Sequence, residues 1–306
     1  MLSPSTTGRA ELFHRTVFDW FGKNGRDLPW RKTKDPYAIA LSEIMLQQTQ
    51  VDRVIPKWRA FLLAFPTWSD LAKASTADVI RLWQGLGYNR RAVMLHRLAK
   101  AVSEGKMENG KWKMVPGELP SDIEAMKKLP GIGEYTANAI AAFAFRNPSA
   151  APVDTNISRI LQRVFPRHAS DQKSMQKLAK SIAPKDVWTW NHALMDIGAL
   201  HCSSRGHVWG LCPLAELHGS KELKGKSEGV SGSKPIKFEL TDRYFRGRIV
   251  DALRESPMTL KKLRARSELL NLDDERFKTL IQRLVHSGIV EQSRNTVFLV
   301  GDRKMN

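Results

Sequence analysis

Between residues 121 and 145 two helical stretches are separated by a short connection that carries Leu129-Pro130-Gly131-Ile132-Gly133. So short a connection folds the two helices back on each other as a hairpin. The two glycines allow a tight turn and let another molecule approach the main chain closely. The second helix, Tyr135 to about Phe145, opens directly at the turn. Its first N–H groups lack intrahelical partners and point outward at the positive end of the helix dipole. Such a place suits one phosphate of a nucleic-acid backbone. The same residues also fit an ordinary helix–turn–helix joint closed by a glycine. Taken alone, Leu129, Gly131, Ile132 and Gly133 imply DNA binding without sequence reading, and they say nothing about catalysis.

Charge favours the phosphate reading. Lys and Arg number 49 against 31 Asp and Glu, a net +18 with a pI near 10.1. A surface this basic attracts polyanions. Anionic membrane is the rival, but no apolar run approaches the ~18 residues needed to span a bilayer. The opening residues, MLSPSTTGRAELF, contain no apolar signal-peptide core. Two cysteines exclude a disulfide framework and fit a reducing compartment. A monomeric cytoplasmic protein is expected, nucleoid-associated in a bacterium, with double-stranded DNA as partner and no membrane.

Apolar periodicity is helical through most of the first 200 residues. Leu12, Val17, Phe18 and Phe21 space as one face. Further helices are expected near 37–47, 51–64, 68–73, 76–84, 90–104 and 121–128, with Asp70, Ser75 and Ser121 as helix starts. Residues 219–240 are rich in Gly, Ser and Lys and read as a linker. Beyond it, Phe245, Ile249 and Leu253 mark one helix, Leu260 and Leu263 a second, and Phe277, Leu280, Ile281 and Leu284 a third. Ile289-Val290 and Val297-Phe298-Leu299 flank the turn Ser293-Arg294-Asn295, a hairpin signal. The expected fold is all-α with a small winged-helix-like module over 241–303. Residues 1–27 with 146–218 form one expected helical subdomain, and 28–145 a six-helix subdomain containing the hairpin.

Two acids stand out. Asp154 follows the run Ala151-Pro152-Val153 and precedes a helix expected near Asn156. It fits a helix cap, and a cap holds a carboxylate rigidly. Glu43 lies among apolar neighbours in Leu41-Ser42-Glu43-Ile44-Met45-Leu46. Burial there disfavours the charged form and would make it a usable general acid. A structural glutamate satisfied by an arginine or by backbone fits the same position.

Taken together, Leu28-Pro29-Trp30-Arg31, LSEIMLQQTQV (41–51), GLGY (85–88), LPGIGEYTA (129–137) and VDTN (153–156) fall in the order and approximate spacing of MutY-type adenine DNA glycosylases. These belong to the helix-hairpin-helix, or endonuclease III, superfamily, and the resemblance covers roughly residues 10–218. It implies removal of adenine mispaired with 8-oxoguanine or guanine in base excision repair, after the nucleotide is flipped out of the duplex. It assigns Glu43 to protonation of adenine N7 and Asp154 to stabilisation of the oxocarbenium-like sugar. Tyr135 and Asn156 match supporting catalytic positions. Trp30, Arg31, Leu46 and His192 match the lining of the adenine pocket. Gln48 and Tyr88 match positions that fill or wedge the base stack, with Thr49 and Leu86 beside them. Bifunctional relatives carry a lysine where this chain has Tyr135, so a monofunctional glycosylase is implied.

The chain departs from that family pattern in three places. Four cysteines usually hold a [4Fe–4S] cluster; here Cys202 and Cys212 fall on the first and third ligand positions, and Trp209 and His218 on the others. Two thiolates cannot hold the cluster, so it is expected to be absent and no cofactor is expected. The loop is expected to be held by packing around Trp209. Zinc on Cys202, His207, Cys212 and His218 is the metal alternative, at a spacing that fits no common zinc motif. His192 replaces the family's Gln or Glu. Residues 241–300 are too few and too helical for the Nudix-like domain that commonly checks for 8-oxoguanine. A thymine or uracil mismatch glycosylase and a non-catalytic DNA-binding scaffold are the competing functions.

Overall fold

The computed structural model describes residues 4–105, 114–169, 171–202, 209–218 and 237–302. In chain order its helices are α1 (Pro4–Asn24), α2 (Pro36–Leu46), α3 (Val51–Ala64), α4 (Trp68–Lys73), α5 (Thr76–Leu82), α6 (Arg90–Glu104) and α7 (Ile123–Met126). They continue as α8 (Glu134–Phe143), α9 (Thr155–Val164), α10 (Gln172–Ser181), α11 (Val187–Leu200), α12 (Asp242–Glu255), α13 (Leu260–Arg264) and α14 (Asp274–His286). Strands are confined to the last part: β1 (Met258–Thr259), β2 (Val290–Ser293) and β3 (Thr296–Leu299). The chain forms two compact units. One draws on Met1–Ala40, Pro120–Lys128 and Ile132–Val230, the other on Leu41–Leu119, Leu129–Gly131 and Ser231–Asn306.

In the first unit α1 packs with α9, α10 and α11. Phe13 and Val17 are completely buried, with Ile157, Ile160, Leu161, Trp190 and Ile197 around them. Phe13 meets Trp190 edge-on, ring centroids 4.9 Å apart. Aromatic pairs in this geometry add about 0.5–1.5 kcal/mol beyond their burial. The buried face of α1 therefore runs through Ala10, Phe13 and Val17, not Leu12, which stays 37% exposed. Phe13 stands four residues before Val17 and shares its face, whereas Leu12, five residues before it, points away, so the helical period itself favours Phe13. Gly198 on α11 is required by packing: a Cβ there would come within 2.5 Å of the Asn156 Cβ at the start of α9.

The second unit has its own core. Trp83 is fully buried, meets Phe61 edge-on at 5.8 Å, and donates its indole N–H to the Gly87 carbonyl at 2.9 Å. Helix caps explain where its elements begin. Ser75 caps α5 as expected. Asp70 does not start α4; Thr67 does, and Asp70 closes a capping box back onto the Thr67 backbone. In the first unit, Asp122 rather than Ser121 caps α7, because its carboxylate reaches the Ala125 N–H at 2.7 Å.

The C-terminal segment forms three helices and a three-stranded antiparallel sheet in the order β1-β3-β2. The expected hairpin and three helices are present, and the two-residue strand β1 is an addition that no alternation in the sequence announced. This module packs against α5 and α6 within the second unit. Arg81 forms a bidentate ion pair with Asp302 at 2.7 and 2.9 Å. Arg254 donates to the Ile80 carbonyl and to Asn89. A Cβ on Gly301 would approach the Thr76 amide nitrogen to 3.2 Å. Most of the expected linker, residues 219–236, lies outside the described residues.

Candidate active site

In the first unit the clearest constellation surrounds Asp154, which caps α9. One carboxylate oxygen accepts from the Asn156 and Ile157 backbone N–H groups at 2.9 and 2.7 Å, and the other from the Asn156 side-chain amide at 3.0 Å. The helix dipole favours a negative charge at this end. Asn156 is itself fixed by Arg159, which also donates to the Cys202 carbonyl. The segment leading into Asp154 is clamped as well. Fully buried Asn138 accepts from the Ala151 N–H at 2.9 Å, and Gln176 donates to the Ala151 carbonyl at 2.8 Å. Asn138 sits one turn after Glu134 on the helix that carries Tyr135, and donates to the Glu134 carbonyl. Hydrogen bonding to Lys127 holds the Glu134 carboxyl below its usual range.

Also in this unit, Trp30 is buried on a short 3-10 turn, Pro29–Arg31. The Arg31 guanidinium grips the buried Asp196 carboxylate with two hydrogen bonds, at 2.9 and 2.8 Å, and donates to the Arg26 carbonyl. Arg26 binds the same carboxylate. Burial alone would raise the Asp196 pKa, but Arg31 and Arg26 outweigh it and hold it below the ordinary value. His192 stacks on Phe143 at 4.0 Å and meets Trp188 edge-on at 4.6 Å. Burial, then the positive charges of Arg31, Arg146 and Arg26, push its pKa well below normal, so the imidazole is neutral at neutral pH.

The residues present do not fit a [4Fe–4S] cluster, which needs four protein ligands; the whole sequence holds two cysteines. Both are free and buried, and burial raises both thiol pKa values. Arg163 donates to the Cys202 sulfur, a cationic neighbour where a thiolate ligand would face a metal. The Cys212 sulfur lies 3.8 Å from His218. Among the described residues no three His, Cys, Asp or Glu side chains converge as a metal site. His207 and the Trp209 side chain, invoked for zinc and for loop packing, lie outside the described residues.

In the second unit Arg91 gathers the residues around Glu43, Thr49 and Tyr88. One of its terminal nitrogens donates to the Ile44 and Met45 carbonyls, both at 2.9 Å. The other donates to Thr49 Oγ1 at 2.9 Å and to the Leu86 and Gly87 carbonyls at 3.0 and 3.2 Å. The end of α2 is thereby tied to the Gly85–Tyr88 turn. Burial, with repulsion from Arg243, pulls the Arg91 pKa down to about 10, so it remains a cation at neutral pH. Glu43 on α2 is buried at 4% exposure, Leu46 is half-buried and Gln48 exposed. Gln48 and Tyr88 both adopt the left-handed backbone region, φ +55° and +46°. A conformation unfavourable for such side chains is held here by the surrounding bonds.

The hairpin between α7 and α8 follows its sequence. Gly131 has φ +78°, and a Cβ there would approach the Met94 Cβ to 3.0 Å. Leu129 and Ile132 are buried, so any contact they make with DNA runs through the main chain. Gly133 is the N-cap of α8 and brings no capping side chain to its first turn. Arg91, Asn138, Arg159 and Asp196 were missed by sequence reasoning. Asp196 carried a signal, since Leu194-Met195-Asp196-Ile197 buries an acid among apolar residues just as the Glu43 segment does.

A glycine hairpin that opens α8 and an aspartate fixed at the start of α9 are the arrangement that the resemblance to helix-hairpin-helix DNA glycosylases implies. The comparisons agree. Residues 41–185 match the HhH-GPD superfamily of base excision DNA repair proteins. The adenine DNA glycosylase of Mycolicibacterium smegmatis is 36% identical over 289 residues, covering 92% of this chain and 94% of the relative. A solved thermostable thymine-DNA glycosylase is 28% identical with a TM-score of 0.64, covering 72% of this chain and 99% of its own. An endonuclease III trapped as a covalent intermediate with DNA shares the fold, at 20% identity, a TM-score of 0.59, and coverage of 74% of this chain and 100% of its own. The chain belongs to the MutY-type adenine DNA glycosylases and is an enzyme of base excision repair.

Proposed function

We propose that the chain is a monofunctional glycosylase that hydrolyses the N-glycosidic bond of adenine mispaired with 8-oxoguanine or guanine in double-stranded DNA. Glu43 is the general acid and protonates adenine N7. The C1′–N9 bond then breaks, its electron pair leaving with the base. The sugar is left as an oxocarbenium-like species, and the Asp154 carboxylate stabilises it. Water adds to C1′ and loses its proton to solvent, leaving an abasic deoxyribose. Tyr135 and Asn156 support the site, Trp30, Arg31, Leu46 and His192 line the base pocket, and Gln48, Thr49, Leu86 and Tyr88 meet the opened duplex. The hairpin's main chain holds a phosphate, and no cluster or zinc takes part.

The observation that carries this reading is the anchoring of Asp154 by three hydrogen bonds at the start of α9. A rigid carboxylate at a fixed position is what charge stabilisation in a transition state requires. The test is excision from duplexes carrying A opposite 8-oxoguanine, A opposite G, T opposite G and U opposite G. Release of adenine is expected, with Glu43→Gln abolishing it and retaining DNA binding. A fully active Glu43→Gln variant would refute the general acid. The similarity to a thymine-DNA glycosylase favours a second reading, and excision confined to T or U would establish it.

A further inference from the structure

Helix α12 of the C-terminal module brings its second residue to the Tyr88 ring. The Arg243 guanidinium carbon lies 4.0 Å from the ring centroid, within cation–π range. Arg243 is solvent-exposed, and Tyr88 is half-buried. The Phe238 ring, 53% exposed, lies 5.9 Å from the same guanidinium. Two aromatic rings thus lie within about 6 Å of one exposed guanidinium, in a chain of net charge +18. The Arg91 guanidinium also lies over Tyr88, at 5.6 Å, but its terminal nitrogens are engaged by carbonyls and Thr49.

We propose that the C-terminal module is part of the DNA-binding face, with Arg243 contacting a backbone phosphate beside the point where Tyr88 enters the duplex. The inference rests on the reading of Tyr88 as a DNA-contacting residue. The occupant is double-stranded DNA, because an exposed guanidinium flanked by aromatic faces pairs with phosphate and stacks against nucleotide surfaces at once. Fixed in one compact unit with α5 and α6 through Arg81–Asp302 and Arg254–Asn89, the module presents Arg243 without a separate docking step. Arg243 positions the Tyr88 ring and adds one phosphate contact.

The test measures binding of a fully paired duplex and of an A opposite 8-oxoguanine duplex over a range of salt concentrations. Arg243→Ala, Arg243→Lys, Tyr88→Ala and Lys278→Ala are compared, the last removing an exposed charge from α14. Loss of one phosphate contact makes the slope of log K against log[salt] shallower by about 0.9. Arg243→Ala is expected to show this change, with about a tenfold loss of affinity at low salt. Arg243→Lys should keep the slope, because the charge remains. Equal losses from Arg243→Ala and Lys278→Ala would reduce the effect to net charge and overturn the proposal. Unchanged binding by Arg243→Ala, with or without a lower melting temperature, would overturn it too. If Tyr88→Ala also binds normally, the reading of Tyr88 fails; if Tyr88→Ala alone binds weakly, only the role of Arg243 fails.

Discussion

Replacing Arg91 with methionine tests whether one side chain organises the turns of the second unit that are proposed to meet DNA. Methionine keeps an apolar stem where the Arg91 guanidinium lies over the Trp83 ring, 5.2 Å from its centroid, and removes every donor. Five acceptors lose a partner: the carbonyls of Ile44, Met45, Leu86 and Gly87, and Thr49 Oγ1. Two of them, Ile44 and Met45, are among the last four carbonyls of α2 and have no onward partner in the helix. Hydrogen bonds to a charged donor are worth about 1.5–3 kcal/mol each when counted singly. Summing five would overcount, because two nitrogens share them and because burying the cation costs several kcal/mol. The Gly87 carbonyl also keeps the Trp83 indole N–H as a donor at 2.9 Å. A net destabilisation of about 2–4 kcal/mol is expected by urea unfolding. DNA affinity, measured well below the variant's melting temperature, should fall by more than about tenfold, since the end of α2 and the Gly85–Tyr88 turn lose their common tie. A variant within about 0.5 kcal/mol of the parent, with parental DNA affinity, would show that the turns hold their shape without Arg91.

His192, with its folded-state pKa depressed, stays neutral in the fold while the unfolded chain takes up a proton below about pH 6.5. Its contribution to stability is complete above that pH and is lost on acidification, by about 1.4 kcal/mol per pH unit. His192→Gln should therefore narrow its stability gap from wild type as urea unfolding is moved from pH 7.5 to 5; a constant gap would mean the imidazole titrates normally. Asn138→Ala strands the Ala151 N–H and should cost about 1–3 kcal/mol. It should also slow single-turnover base release more than it weakens DNA binding, because Ala151 leads into Asp154; an unchanged rate in a destabilised protein would confine Asn138 to the fold.

The helical frame was legible because its signals are local. Apolar spacing located α3, α4 and α6 to the residue, and Ser75 marked the start of α5, whereas Asp70 and Ser121 each fell short of the true caps Thr67 and Asp122. Asp154 as a cap was equally local, since the donors it meets lie two and three residues ahead. What escaped depends on partners far along the chain. Arg91 looks like any basic residue in an amphipathic helix until carbonyls more than forty residues away converge on it. Arg243 reads as one charge among 49 until the fold sets it over Tyr88. Glu43 and Asp196 show the limit most sharply. Each is an acid in an apolar helical stretch, and each is buried. Asp196 is met by two arginines from a distant loop, which makes it a structural anion and positions Arg31. The burial that marks an acid as interesting thus does not separate a proton donor from a structural ion pair. The separation comes from which charges the fold brings to the carboxylate, and only a substitution that preserves shape, such as Glu43→Gln against Asp196→Asn, reads the two roles apart: the first should abolish excision in a stable protein, the second should destabilise the fold.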